Sequence, residues 1–198
     1  MPYKENYFYI DKDGFYTDPN TGVLKNKEYI TDANLLIAVE SVKSGKRLQE
    51  LAKSPIKITD HTALFAIHKY LFGDMYDWAG QQRIVEISKG DNHFLPTHFF
   101  DNSFAYLDAL ILDYEKIDSA NKTAIAESLA DILDIVNKLH PFREGNGRTQ
   151  REFIRTLASQ KGYGLNLNPI DDAHIYDRYM SGTINGDIKI LTDLIWNC

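Results

Sequence analysis

The residues best suited to chemistry lie in one segment, His140 to Arg151, whose sequence is HPFREGNGRTQR. Within this segment His140 is the one side chain that can accept and return a proton near neutral pH, so it is the candidate general base for a substrate hydroxyl. Glu144 offers a hard carboxylate oxygen, and Mg²⁺ is usually held by one or two carboxylates together with substrate phosphates. The segment therefore predicts attack of a hydroxyl on a phosphate, assisted by a divalent cation.

The middle of the segment is typical of an anion-binding turn. Gly145 and Gly147 let backbone N–H groups approach a phosphate, and the following helix start adds unpaired N–H groups and the positive end of a dipole. Arg148 and Arg151 are three residues apart, so both guanidinium groups can reach phosphate oxygens from the first helical turn. Each feature has an ordinary structural alternative, such as a loop-closing turn, a solvated arginine face or a helix-ending histidine. The hypothesis depends on their coincidence within one short segment.

At every defined position the segment is similar to the motif of the Fic (filamentation induced by cAMP) family, His-x-Phe-x-(Asp/Glu)-Gly-Asn-Gly-Arg-x-x-Arg. Residues 71–80, LFGDMYDWAG, and residues 18–26, DPNTGVLKN, also resemble stretches of bacterial Fic toxins and of the Fic domains of secreted effectors. The resemblance covers nearly the whole chain. It implies an all-α Fic fold, a helical bundle with a short β-hairpin flap near residues 84–95.

The resemblance also implies transfer of AMP from Mg·ATP to a hydroxyl side chain of a target protein, with pyrophosphate as the leaving group. In that reaction His140 is the base and Glu144 holds Mg²⁺. The implied nucleotide-binding residues cradle the phosphates or grip the β and γ groups, and they are Gly145, Asn146, Gly147, Arg148 and Arg151. Relatives resembling the Doc toxin, which transfer phosphate, carry lysine at the position of Gly147. The glycine therefore favours attack on the α-phosphate.

Two alternatives to a protein adenylyltransferase stay open on the residues alone. A Fic enzyme could transfer another phosphate-linked group, such as UMP or phosphocholine, and the motif does not discriminate between these donors. The chain could also be a non-catalytic nucleotide-binding or interaction module that kept the fold, although an intact His140 and Glu144 count against it. Mass spectrometry of a target lysate can separate all three possibilities.

One stretch departs from the helical pattern of the chain. Residues 83–88, RIVEIS, are rich in β-branched side chains, residues 89–92, KGDN, are turn formers, and residues 93–96, HFLP, follow as a returning segment. The pattern predicts a short hairpin, with an ordinary surface loop as the alternative. By resemblance it is the Fic flap, which binds the target protein by pairing with an extended segment of it. The predicted target-binding residues are Ile84, Val85, Glu86, Ile87, Lys89 and Gly90.

Helical periodicity dominates the remainder. Four stripes of apolar residues at spacings of three and four each predict a helix with one buried face, and they span residues 64–71, 100–111, 129–139 and 153–157. Asp60 is the expected N-cap of the first helix and Gly73 its end. The third stripe leads into His140, which places the candidate base at a helix end. Shorter helices are predicted near residues 32–52, 172–180 and 187–196.

The composition fits a single Fic domain spanning residues 1–198. Of the 198 residues 43% are hydrophobic, enough for one buried core but short for two domains. The only cysteine, Cys198, cannot form an intramolecular disulfide, and no apolar run approaches the roughly 18 residues of a membrane span, so a cytoplasmic protein without membrane contact is expected. A net charge of −6 disfavours direct nucleic-acid binding.

The chain lacks an inhibitory sequence that many Fic proteins carry, Ser/Thr-x-x-x-Glu-Gly/Asn, whose glutamate pairs with the second motif arginine, here Arg151. Only Glu5 and Glu144 precede Gly or Asn, and neither has Ser or Thr four residues earlier. Residues 181–186, SGTING, are the closest match, but Asn185 stands at the acid position and the glycines predict a loop. We therefore expect a separate small antitoxin to supply the glutamate, as for class I Fic toxins, and to dock on exposed apolar surface of the N-terminal helix.

Overall fold

The computed structural model describes residues 7–9, 11, 14–89, 92–167 and 173–197. Most of these residues are helical, in α1 Ala33–Lys53, α2 Thr62–Phe72, α3 Phe100–Lys116, α4 Lys122–Leu139, α5 Asn146–Gln160, α6 Ala173–Asn185 and α7 Ile188–Asn197. Three short strands, β1 Tyr7–Tyr9, β2 Ile87–Lys89 and β3 Asn92–His93, form one antiparallel sheet in the order β1-β2-β3. The predicted helical bundle with a short hairpin is confirmed.

Helix α4 is the centre of the bundle and packs against α3, α5 and α7. It begins where the side chain of Asn121 accepts a hydrogen bond from the backbone N–H of Ala124 at 3.2 Å, and it buries apolar residues on most of its surface. Each fully buried leucine or isoleucine contributes about 1.5–3 kcal/mol, so α4 is a rigid support. It ends at His140, whose left-handed backbone (φ 43°, ψ 58°) turns the chain directly into the motif loop, residues 140–146.

Two local expectations for the helices need correction. Helix α2 has His61 rather than Asp60 as its N-cap residue, although the Asp60 side chain accepts a hydrogen bond from the N–H of Thr62 at 2.8 Å. Residues 181–185 are the last turns of α6, so the predicted loop was wrong. A Cβ atom on Gly182 would lie 2.5 Å from Leu191. Close packing of α6 on α7 therefore outweighs the low helix propensity of glycine.

The hairpin is shorter than predicted and carries an additional strand. Strand β2 begins at Ile87, because Ile84 donates its N–H to the Tyr16 hydroxyl at 3.1 Å and the Val85 carbonyl accepts from Arg83 Nη1 at 2.6 Å. These bonds divert the backbone of residues 84–86 from ladder pairing. Strand β1 pairs with the outer edge of β2, and no sequence pattern predicted it. The predicted turn residues 90–91 lie outside the described residues.

None of the helices in the described ranges combines the length and the apolar character needed to cross a bilayer.

Candidate active site

The imidazole of His140 is buried at the end of α4 and fixed on two sides. The ring of Phe94 stacks on it with 3.6 Å between ring centroids, and Nδ1 lies 3.3 Å from the backbone carbonyl oxygen of Asn137. Because a carbonyl only accepts hydrogen bonds, this contact assigns the proton to Nδ1 and the lone pair to Nε2. The carbonyl of His140 itself accepts a hydrogen bond from Arg83 Nε at 2.9 Å. The histidine therefore presents Nε2 as a base in a fixed orientation.

The loop after His140 is closed by its own side chains and by α2. Asn146 accepts from the N–H of Phe142 at 2.9 Å and donates to its carbonyl at 2.7 Å, so its side chain serves the loop rather than facing a ligand. His68 accepts from the N–H of Gly80 at 2.8 Å and donates from Nε2 to the carbonyl of Glu144 at 2.9 Å. Burial lowers the pKa of His68 to about 3. It is therefore neutral and structural.

The start of α5 has the geometry of an anion-binding cradle. Gly145 is the N-cap residue with φ 81°, and a Cβ atom there would overlap the buried ring of Phe72. No side chain in the described part of the chain caps this helix. The N–H groups of its first turn, which have no intrahelical acceptor, therefore face the cavity beside it. That cavity, of about 160 Å³, brings together every predicted catalytic, phosphate-binding and metal-binding residue: His140, Glu144, Gly145, Asn146, Gly147, Arg148 and Arg151.

Arg148 is held by several groups beneath the cavity. Its Nη2 donates to the carboxylate of Glu40 on α1, and Nη1 donates to Ser44 Oγ at 3.0 Å. The guanidinium carbon lies 4.6 Å from the centroid of the Phe72 ring, a favourable cation–π distance. No sequence pattern indicates the Glu40 contact, since 108 residues separate the two partners.

Arg151 has a different environment. Its guanidinium carbon lies 5.5 Å from the centroid of the Tyr179 ring and 5.9 Å from that of Tyr176, both on α6. Among the described residues, no carboxylate lies within ion-pair distance of it. Arg151 is thus a cation whose charge is available to an anion.

Glu144 combines partial exposure with proximity to the cradle. Its Oε1 accepts a hydrogen bond from the N–H of Gly145 at 2.8 Å, and 37% of its side chain is exposed. Loss of hydration and repulsion from the Glu40 carboxylate raise the pKa of Glu144, against the attraction of Arg148. An accessible carboxylate beside the N–H groups of a helix start fits a magnesium ion that is shared with a phosphate.

A larger cavity of about 400 Å³ adjoins the cradle and shares His140, Gly147, Arg151 and Tyr176 with it. Its further walls include residues that sequence reasoning missed, among them His93, Phe94, Gln150, Tyr179 and Met180. Two signals were available. Gln150 occupies an undefined position of the motif, and the tyrosines at 176 and 179 share one face of a predicted helix.

Of the predicted flap residues, the five that the structure describes line neither cavity. Ile84 is 67% exposed, Ile87 is buried, and Glu86 accepts from Thr97 Oγ1 at 2.8 Å. The other three are Val85, which is partly buried, Lys89, whose backbone pairs with Tyr7, and Gly90, which lies outside the described residues. The hairpin reaches the larger cavity through His93 and Phe94 instead.

Comparison with known proteins identifies the class. Residues 58–158 match the Fic/DOC family. The chain is 33% identical over 174 residues to a Sinorhizobium fredii protein named probable protein adenylyltransferase y4lH. The alignment covers 87% of this chain and 89% of that protein. It is 35% identical over 159 residues to protein adenylyltransferase VbhT of Bartonella schoenbuchensis, which covers 79% of this chain but 33% of VbhT. The chain therefore spans about a third of VbhT.

The fold agrees with that class. BepC of Bartonella tribocorum, an effector solved with bound AMPPNP, superposes with a TM-score of 0.79 at 22% identity, covering 93% of this chain and 95% of that one. The chain belongs to the Fic/DOC family. The predicted Fic fold and the predicted enzyme class, a nucleotidyltransferase, are confirmed.

Proposed function

We propose that this protein transfers AMP from Mg·ATP to a hydroxyl side chain of a target protein. The observation that carries the proposal is the position of His140 where the two cavities meet. The larger cavity, with the aromatic rings of Phe94, Tyr176 and Tyr179, has the size and character of a nucleoside site. The smaller one has the helix start and arginines that phosphates require. The AMPPNP bound to BepC supports ATP as donor.

In the proposed reaction the target hydroxyl oxygen attacks the α-phosphorus while its proton passes to Nε2 of His140. The bond from the α-phosphorus to the bridging oxygen breaks, and pyrophosphate leaves with that electron pair. The N–H groups at the start of α5 stabilise the negative charge that develops on the phosphate oxygens. A Cβ atom at position 147 would lie 3.2 Å from Arg151 Nη1. Glycine at this position therefore avoids a steric conflict with the Arg151 guanidinium group.

Glu144 is the residue that would hold Mg²⁺ in this site, because its carboxylate faces the phosphate cavity. When bound, the ion would neutralise phosphate charge and orient the leaving group. Arg151 would bind the terminal phosphates, since its charge has no acidic partner among the described residues.

The target binds, in this proposal, at the outer edge of β3. The N–H of Phe94 donates to the carbonyl of Ile87 at 3.2 Å, so these two residues are a hydrogen-bonded pair. Pairing alternates along an antiparallel ladder, and the N–H and C=O of His93 therefore point away from β2. A target strand added there would lie beside the cavity that His93 and His140 line. The opposite edge of β2 is already paired with β1.

We also propose that the enzyme acts in the cytoplasm as a toxin that a separate small antitoxin inhibits. The support is Arg151, which lacks an acidic partner among the described residues and can accept a glutamate from another protein. Helix α1 exposes Leu35 and Val42, which are seven residues apart and therefore share one face of the helix. This face offers the apolar docking surface that such a partner requires. A groove lined by Leu48 and Arg151 extends from α1 to the motif.

Mass spectrometry tests the transfer reaction. The protein is incubated with Mg·ATP and a bacterial lysate, with UTP and CDP-choline as competing donors and His140→Ala as the control. We expect AMP on serine, threonine or tyrosine of a discrete target. UMP or phosphocholine adducts would replace the proposal with another transferase, and no adduct with any donor would indicate a binding module.

Expression of the chain alone and together with the small protein encoded beside it tests inhibition. We expect toxicity and transfer from the isolated chain, and a stable, silent complex with the partner. Replacing the partner's inhibitory glutamate with glycine should restore activity without dissociating the complex. Strong activity of the unaltered complex would contradict inhibition by that partner.

A further inference from the structure

Glu40 is a buried acid on α1, outside the segment that matches the Fic/DOC family. Only 9% of its side chain is exposed. Its Oε1 accepts a hydrogen bond from Arg148 Nη2, and its Oε2 accepts one from the Tyr76 hydroxyl. Burying a carboxylate is unfavourable unless it is paired and hydrogen-bonded. Glu40 meets both conditions, and so forms a specific contact between α1 and the motif.

Two carboxylates compete for the same nitrogen of Arg148. Nη2 is hydrogen-bonded to Glu40, and it lies 3.8 Å from Oε1 of Glu144, within ion-pair range but beyond a hydrogen bond. Ser44 and the Phe72 ring hold the same guanidinium group in place, but neither carries a charge that could neutralise it.

We propose that Glu40 is a positioning residue that keeps Arg148 away from Glu144, and so leaves the Glu144 carboxylate available to a divalent cation. The inference rests on the proposed function in one respect, the assignment of Glu144 as the metal ligand. Without the charge of Glu40, Glu144 is the one carboxylate left in ion-pair range of Arg148 among the described residues. A largely buried guanidinium would then pair with Glu144 and compete with the metal ion.

The chain offers a matched control on the same helix. Glu50 also lies on α1 and also accepts hydrogen bonds from an arginine, Arg47 at 3.0 Å, and from a tyrosine, Tyr70 at 2.8 Å. It lines neither cavity of the site. Glu40→Gln and Glu50→Gln therefore remove the same charge from similar contacts, and only the first affects Arg148.

The experiment measures binding of a non-hydrolysable ATP analogue by calorimetry at increasing Mg²⁺ concentration. In Glu40→Gln the Mg²⁺ concentration for half-maximal binding should rise about tenfold, as expected for loss of one charge-assisted hydrogen bond, and in Glu50→Gln it should change less than about twofold. In an Arg148→Gln background, Glu40→Gln should add less than about a twofold shift, because no guanidinium remains to pair with Glu144. A purely structural role predicts equal shifts in both backgrounds.

An unchanged Mg²⁺ requirement in folded Glu40→Gln, or the same shift in both backgrounds, would overturn the proposal. If Glu40→Gln does not fold, Ser44→Ala takes its place, because it removes one hydrogen bond from the guanidinium group of Arg148. The Mg²⁺ concentration for half-maximal binding should then rise about threefold. No rise would overturn the proposal. Analogue binding by the unaltered protein that is independent of Mg²⁺ would also overturn it. Mg²⁺-dependent binding without AMP transfer to any protein would instead refute the proposed function and leave the role of Glu40 standing.

Discussion

The motif loop and the flap border the same cavity but are built in opposite ways. The loop residues 140–146 are almost entirely buried, and their polar groups bond to partners on α2 and within the loop. The flap consists of strands two or three residues long, and no other strand of the described residues pairs with the outer edge of β3. In the proposed function the rigid loop carries the reaction, and the outer edge of β3 binds the backbone of the target protein. Changes in the loop should affect every substrate, whereas changes in the flap should affect protein targets alone.

Arg83 connects the two regions. Its side chain is fully buried, and it donates to the carbonyl of His140 at 2.9 Å, to that of Val85 at 2.6 Å and to that of Leu95 at 2.6 Å. One guanidinium group therefore ties both ends of the flap to the backbone of the candidate base. The flap edge is fixed relative to His140 even though its strands are short.

The largest effect is expected from His140→Ala. Removing the general base should lower AMP transfer by about 10²- to 10⁴-fold. Nucleotide affinity should change little, because the cradle is formed by backbone groups and arginines. Transfer is measured with radiolabelled ATP, and affinity by calorimetry with a non-hydrolysable analogue. Transfer near that of the unaltered protein would refute the assignment of the base.

Gly145→Ala should destabilise the motif loop and thereby the folded protein. A left-handed backbone is unfavourable for alanine, and its Cβ atom would overlap Phe72, so we expect a loss of about 2–4 kcal/mol in the free energy of unfolding. Gly164→Ala is the matched control, since a Cβ atom there meets nothing within 4 Å. Urea denaturation of both variants measures the difference. Equal stability of the two would show that the loop tolerates rearrangement.

The two regions also differ in what the sequence could predict. The predicted catalytic, phosphate-binding and metal-binding residues lie within twelve residues of sequence, and their types indicate a turn and a candidate chemistry; in the structure they line one cavity. Their supports could not be predicted. His68 and Arg83 contact the loop across 76 and 57 residues of chain, and Glu40 contacts Arg148 on α5 across 108. Local periodicity carries no information on such pairings. They are ordinary buried positions in the sequence, and only tertiary packing gives them partners.

For the flap, the sequence pattern predicted the hairpin but not the residues that line the cavity. Its β-branched and turn residues predicted a hairpin, but register and edge pairing depend on groups elsewhere. Tyr16 and Arg83 bind the backbone of residues 84–86, so strand β2 begins later than predicted. Strand β1 comes from an N-terminal segment that has no strand pattern in its sequence. The residues that reach the cavity, His93 and Phe94, follow from that register and not from composition.

Acid should weaken the motif loop through His68. Burial lowers its pKa from 6.5 to about 3, so between these values the unfolded chain binds a proton that the folded protein does not. Stability must therefore fall as the pH falls. From pH 7 to pH 5 this group should lower the free energy of unfolding by about 2 kcal/mol. Urea denaturation at pH 7, 6 and 5 measures the slope, and His68→Gln should have a flatter one. Equal slopes would mean that other groups set the acid sensitivity.

The smallest effect is expected at the flap edge, from His93→Pro. Proline removes the N–H that points away from β2, so the bond between Phe94 and Ile87 is kept and the hairpin should still form. Loss of one backbone hydrogen bond to the target should lower kcat/KM for the target protein about tenfold, while His93→Ala, which keeps the N–H, should stay within about threefold. Affinity for an ATP analogue, measured in parallel, should be the same in both variants. Undiminished target modification by His93→Pro would show that the target does not pair with β3, and a parallel loss of nucleotide affinity would show that the flap and the motif loop are not separable.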